Sequence, residues 1–232
     1  MNRNVTPKPG LKQQTYQLLK DRLVDCIYPP GTILNEAQLA AELNLSRTPI
    51  REAVSKLEME GFIKVLPKKG IYVTDITLND VIQVFQTRIE IEPIAVRLAA
   101  SRLPIEGLIS FCQKFQEPAK DIQNSFRLDT AMHLFIIEHC GNHYIIDMMR
   151  SVFDQNTRII ISSKQNQAQI HDAKHEHLTI LNLLIDGKYE EAEKSMRIHI
   201  EACRKAALDF FYNGQTYTSM NNSSYIRELN KL

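Results

Sequence analysis

Apolar positions in this 232-residue chain recur mostly at three- and four-residue intervals, the spacing of helices that bury one face. Leu11, Tyr16, Leu19, Leu23, Cys26 and Ile27 suit one face of a first helix, which Tyr28, Pro29, Pro30 and Gly31 end. Asn35 is a good N-cap with Gln38 three residues on, and Leu39, Ala40 and Leu43 follow at helical spacing until Asn44 and Leu45 interrupt. Ser46 is expected to cap the next helix. Pro49 is tolerable in its first turn, and Ile50, Val54 and Leu57 form its buried stripe up to Gly61. The period then changes. Phe62 to Leu66 and Ile71 to Thr74 are short β-rich runs around Pro67, Lys68, Lys69 and Gly70, a hairpin with a basic tip, to which Thr32 to Leu34 can add a strand.

Three helices and a basic hairpin outline a winged helix-turn-helix. Arg47, Thr48 and Arg51 occupy the exposed N-terminal end of its second motif helix, where such folds present side chains to a DNA groove. Lys68 and Lys69 are placed to track phosphates or enter a minor groove. Two amphipathic helices with a polar turn also occur in proteins that never touch DNA, so the hairpin strengthens the reading.

After a short hinge at Asp75 to Thr77 the pattern is almost wholly helical. Leu78 to Leu103 carries Val81, Val84, Phe85, Arg88, Ile91, Ile94, Ala95, Leu98 and Ala99 at helical spacing, with Pro93 expected to kink it. Further helices are expected over Pro104 to Asn124, broken near Pro118, then Ser125 to Cys140, His143 to Ser163, Gln167 to Ile185 and Tyr189 to Tyr212. The fold class expected is therefore mainly α, a winged helix-turn-helix domain followed by an all-α antiparallel bundle. The boundaries are a flexible arm (1–10), a DNA-binding domain (11–75), a helical effector-binding domain (76–212) and a tail (213–232). For the tail, disorder and a short terminal helix both remain open.

Composition adds limits. With 44% apolar and 24% charged residues the chain has the makeup of a globular protein long enough for two cores. No apolar run approaches the roughly 18 residues that span a bilayer, and Met1 to Gly10 is too polar for a signal peptide, so a cytoplasmic protein without a membrane partner is expected. Cys26, Cys112, Cys140 and Cys203 are scattered without a C-x-x-C, which favours reduced, buried thiols. The net charge is +1. Through Asp75 there are 11 Lys+Arg against 8 Asp+Glu, and after it 17 against 19, a mild asymmetry in the direction DNA binding requires.

All seven histidines lie after residue 132. Asp129 and His133 stand four apart and project from one helix face. His177 belongs to the stripe Ile170, Ala173, His177, Leu181, Leu184, and His199 to the stripe Ala192, Met196, His199, Cys203, Ala206, Phe210. These four residues, on three helices and aimed at the middle of one bundle, are expected to form a three-nitrogen, one-oxygen site for a divalent metal ion. Zinc is the first choice, with nickel, manganese and iron also suited to such donors. His139, His143, His171 and His175 are expected at the surface or at helix ends, with His175 the candidate to support a ligand from behind.

The segment from Tyr16 to Val73, with its S-R-T-P-x-R-E-A core, L-E-x-E-G and glycine-bearing wing, resembles the DNA-binding domain of the GntR family of bacterial transcription regulators. The resemblance implies that Arg47 and Arg51 contact guanines or neighbouring phosphates, that Ser46 and Thr48 meet the DNA backbone, and that Gly70 lies near the wing tip. Many members carry an arginine directly after the glutamate that opens the first motif helix. Here Ala37 follows Glu36, and that contact is not carried over.

The later helices resemble the FCD-type effector domain of one large GntR subfamily. The matching text is R-I-E-I-E-P-I-A-V-R-L-A-A from Arg88, D-T-A-M-H-L-F-I from Asp129, then G-N, E-H-L-T-I-L, a D-G-K turn and A-E-K-S-M-R-I-H-I. The resemblance implies a metal held by Asp129, His133, His177 and His199 at the floor of a ligand cavity. It also implies Arg88 as the partner of a carboxylate effector, with Arg197 a secondary candidate. An interhelical salt bridge to a residue such as Glu138 is the other reading of Arg88. The whole is expected to act as a homodimer on double-stranded operator DNA, controlled by a small organic acid. Two rivals remain open at this stage. One is a metalloenzyme, which lacks an H-E-x-x-H and has only Glu138 and Glu176 as evident bases. The other is a helical adaptor with a structural winged domain.

Overall fold

Helix α1 (Leu11–Val24) turns Tyr16, Leu19 and Leu23 inward. The computed structural model describes the backbone of residues 10–118, 122–164 and 173–229, and the side chains of 10–118, 124–162 and 173–211. The expected arm, the start of the helix expected from Gln167, and His171 fall outside the described residues.

Strand β1 (Ile33–Leu34) precedes α2 (Glu36–Glu42), which Asn35 starts by accepting hydrogen bonds from the N–H groups of Ala37 at 2.8 Å and Gln38 at 3.3 Å. Helix α3 (Arg47–Met59) buries Pro49, Ile50, Ala53, Val54 and Leu57, and Gly61 leaves it in the left-handed conformation with φ +79°. Strands β2 (Ile63–Leu66) and β3 (Gly70–Val73) form the wing, and β1 pairs with the far side of β3 to give the antiparallel order β1-β3-β2. Register pairs Ile33 with Tyr72, and Ile63 with Val73. Leu19, Leu23, Leu39, Ile50, Leu57, Phe62, Ile63, Ile71 and Val73 make one core beneath α3.

Three expectations need correction here. Leu11 and Ile27 are 56% and 59% exposed, because neither lies in the body of α1: Leu11 is its first residue and Ile27 follows its end at Val24. Ser46 sits at the N-cap position of α3, but its side chain makes no capping bond, which leaves its hydroxyl outward.

The second unit begins at Thr77. Thr77 and Asp80 form a reciprocal capping box that starts α4 (Leu78–Ala99). Helices α5 (Ile105–Gln116), α6 (Ile122–Glu138), α7 (His143–Lys164), α8 (Lys174–Ile185) and α9 (Tyr189–Leu229) follow. Helix α4 packs mainly on α9 and also on α6 and α7, while α8 lies against α9 and α5. Pro93 is buried within α4, which continues to Ala99. Leu98, expected inward, is 40% exposed, and Ile89, Glu92 and Val96 take the inner face instead. Helix α9 continues past the expected end at Tyr212 to Leu229.

Candidate nucleic-acid interface and metal centre

At the front of α3, Ser46, Arg47, Thr48 and Arg51 are all exposed, while Pro49 and Ile50 anchor the same turn in the core. Arg47 has no hydrogen-bonding or ionic partner among the described residues. Arg51 has one: its Nε donates to Glu36 Oε1 at 2.7 Å, so α2 holds one edge of the guanidinium while the side chain as a whole remains 67% exposed. Lys68 and Lys69 are exposed at the wing tip, Lys68 with φ +62°. Gly70 lies just behind them, at φ +119°. A Cβ there would come within 2.6 Å of the Leu34 carbonyl oxygen, so only glycine lets β1 close against the wing.

In the helical unit, α6 supplies Asp129 and His133, α8 supplies His177 and α9 supplies His199. One ligand atom from each lies within 4.8 Å of every other. His199 Nε2 is 3.2 Å from the Nε2 atoms of both His133 and His177, and Asp129 Oδ1 is 2.8 Å from His177 Nε2 and 3.8 Å from His133 Nε2. The three imidazoles are buried.

Two carboxylates steady this set from behind. Glu92 Oε2 faces His133 Nδ1 at 2.5 Å, and Glu176 Oε2 faces His199 Nδ1 at 2.7 Å. A carboxylate at Nδ1 favours the Nδ1–H tautomer. In that state the Nε2 lone pairs of His133 and His199 point at one another across 3.2 Å, an arrangement that a shared cation stabilises. Electrostatics agree. Burial, with His133 and His177 close by, pushes His199 down to about 4, so its ring is neutral near pH 7. Burial opposes ionisation of Asp129, but its hydrogen bond with His177 and the neighbouring histidines hold the carboxyl well below the usual range. Cys203, 3.7 Å from His199 Nε2, is pushed up to about 12 by burial and stays a thiol. The donors available are thus three nitrogens and one carboxylate oxygen, which fit a divalent cation.

Arg88 is fully buried beside this set. Its Nε donates to Glu92 Oε1 at 2.6 Å and its Nη1 to Asn156 Oδ1 at 2.9 Å, with the guanidinium 4.7 Å from the Phe153 ring. Burial works against the Glu92 charge, yet Arg88 and His133 hold that carboxyl at about 2. The salt bridge of Arg88 is therefore within α4 rather than to Glu138, which pairs with Arg150 at the surface. Arg197 does not join the cluster. It is partly exposed, 3.7 Å from Glu90, because two residues turn a helix by about 200° and so direct it away from His199.

Glu92 and Asn156 were not among the expected site residues. Glu92 stands four residues after Arg88 on a buried stripe, and Asn156 falls where the stripe Met149, Phe153 calls for another apolar residue. A charge or amide at a core position was the available signal. Glu176, not His175, supports His199, since His175 points to solvent. His143 is exposed as well, and His139 Nδ1 is bonded to the Phe135 carbonyl at 2.7 Å.

Residues 83–202 match the family model of the FCD domain, and residues 11–73 match that of the bacterial regulatory proteins of the gntR family. The chain belongs to the GntR family. This GntR regulator is 28% identical to the Nta operon transcriptional regulator of Aminobacter aminovorans, over 87% of its own length and 96% of the relative's. It is 26% identical to the transcriptional repressor RspR of Escherichia coli, over 85% and 89%. A regulator of Bacillus subtilis, YdhC, is 31% identical over 61% of this chain and 66% of its own. Among solved structures, E. coli McbR/YncC shares the fold at a TM-score of 0.74 and 18% identity, covering 90% of this chain and all of that one. A GntR regulator from Rhodococcus does so at 0.71, over 85% and 97%. The chain is a DNA-binding helix-turn-helix transcriptional regulator with an FCD domain, and not an enzyme. No described helix is long and apolar enough to cross a membrane.

Proposed function

We propose that this GntR regulator binds a two-fold operator as a homodimer and is controlled by a small organic acid held at a metal site in its FCD domain. Arg47 and Arg51 read base edges in the major groove, Ser46 and Thr48 meet phosphates, and Lys68 and Lys69 carry the wing along the backbone. Successive half-sites then lie about 34 Å apart.

The observation that carries the effector half of this reading is the meeting of three imidazole Nε2 atoms and one carboxylate oxygen within 4.8 Å. Asp129, His133, His177 and His199 would hold a divalent cation, zinc by preference and nickel, manganese or iron otherwise. When bound, that ion supplies a fixed positive charge that attracts a carboxylate. The protein's own part is to orient the imidazoles through Glu92 and Glu176, to exclude water from the buried set, and to offer Arg88 as a second cationic contact. An acid that binds two arrangements of the dimer unequally shifts the population that fits the operator.

A mobility-shift titration on the DNA flanking the protein's own gene, with zinc-loaded and chelated protein and with candidate acids, tests the reading. Acid-dependent change in operator affinity that disappears on chelation is expected. Operator binding indifferent to both metal and acid would contradict it.

A further inference from the structure

Arg51 and Glu52 are neighbours in sequence, so their side chains leave α3 about 100° apart and mark the two flanks of its exposed face. Each flank is tied to a different helix. Arg51 Nε is bonded to Glu36 of α2, and the Glu52 carboxylate accepts from Lys12 Nζ of α1 at 2.7 Å. The second tie fixes where α1 begins. Its first turn, Leu11 to Gln14, is exposed and stands beside the flank of α3 that also carries Thr48, four residues before Glu52.

A helix about 10–12 Å across fills a major groove about 12 Å wide, so when its exposed face meets base edges its flanks meet the phosphate walls. An acid on such a flank is misplaced. Uncompensated, the Glu52 carboxylate, 43% exposed, repels the phosphates that Thr48 approaches. Lys12 neutralises that charge and has donors to spare. An ammonium carries three N–H bonds; Glu52 takes one, and the other two have no partner among the described residues, in a side chain 73% exposed. The sign of the charge continues upstream. The first turn of α1 holds no acidic residue, and residues 1–9 contain Arg3 and Lys8 and no Asp or Glu.

We propose that Lys12 makes the start of α1 a third DNA-contacting element beside α3 and the wing, its ammonium bridging Glu52 to a phosphate of the flanking strand. The contact fixes α1 against the duplex and carries no sequence information. This rests on the placement of α3 in the groove proposed above.

Fluorescence anisotropy of the full-length protein, on the DNA flanking its own gene and on random duplex over a salt series, tests it. The variants are Lys12→Met, Glu52→Gln and the two combined. Arg51→Ala is the reference for α3, and Lys114→Met removes the same charge from the exposed surface of α5. Melts of the Lys12 and Glu52 variants are expected to match wild type closely, because exposed ion pairs contribute little to stability. Lys12→Met is expected to weaken binding to both duplexes about tenfold and to lower the slope of log affinity against log salt by about 1 per chain bound. Adding Glu52→Gln to it is expected to recover part of that loss, and Glu52→Gln alone to bind at least as tightly as wild type. Wild-type affinity and slope in Lys12→Met, a loss that the added Glu52→Gln does not reduce, or an equal loss in Lys114→Met would overturn the contact while Arg51→Ala still relaxes specificity. If Arg51→Ala also binds like wild type, the placement of α3 falls with it.

Discussion

Glu36 Oε1 accepts a hydrogen bond from Arg51 Nε at 2.7 Å, tying the first residue of α2 to the exposed face of α3. The bond leaves both terminal nitrogens of Arg51 available for a bidentate contact. As a solvent-exposed pair it adds at most about 1 kcal/mol to stability. Glu36→Gln is therefore expected to melt within a degree or two of wild type and yet to discriminate less well between operator and random DNA. Unaltered discrimination in a fluorescence-anisotropy competition would show that Arg51 needs no such support.

The arginines and lysines of the winged unit should fail in different ways. Arg47→Ala and Arg51→Ala are expected to lose about 1–3 kcal/mol of discrimination each, with specificity relaxed at the bases concerned. Lys68→Ala is expected to weaken all sequences alike and to reduce the slope of log affinity against log salt by about 1. Binding measured on matched and mutated operators over a salt series separates the two patterns.

Gly70 should be sensitive for a reason unrelated to DNA chemistry. Gly70→Ala puts a methyl group within 2.6 Å of the Leu34 carbonyl at a backbone angle of φ +119°, and a cost of about 1–3 kcal/mol is expected. Lys69→Ala, its neighbour at the tip, should cost almost nothing. Denaturant melts of the two variants make the comparison.

Two carboxylates that touch imidazoles from behind should also differ. Glu176→Gln removes a partly exposed support of His199 and is expected to lower metal affinity by about 10–100-fold with little change in stability. Glu92→Gln strips the buried Arg88 of its counter-charge, so a stability loss of about 3–5 kcal/mol is expected in addition. Competition with a chelating dye and urea melts report the two quantities.

Much of this was legible from residue order because short-range rules govern it. The N-cap at Asn35, the stop at Gly61 and the paired runs of the wing each depend on a few neighbouring residues, and the structure bears them out. The convergence of Asp129, His133, His177 and His199 followed from helical period alone, since each lies on an inward stripe. What period does not carry is the partner of a buried polar group. Glu92 and Asn156 gained their roles by packing across α4, α6 and α7, and Leu98 is exposed because Ile89, Glu92 and Val96 occupy the inner face of α4. Ser46 shows the same limit on a smaller scale, because a residue suited to capping stands at the right position with its hydroxyl turned outward.

The metal content of purified, folded protein tests the central claim most directly. After equilibration with zinc and removal of excess, elemental analysis is expected to find about one ion per chain in wild type and a substoichiometric amount in His177→Ala. Wild-type protein that remains folded and metal-free under those conditions, or a His177→Ala variant that holds as much zinc as wild type, would contradict it.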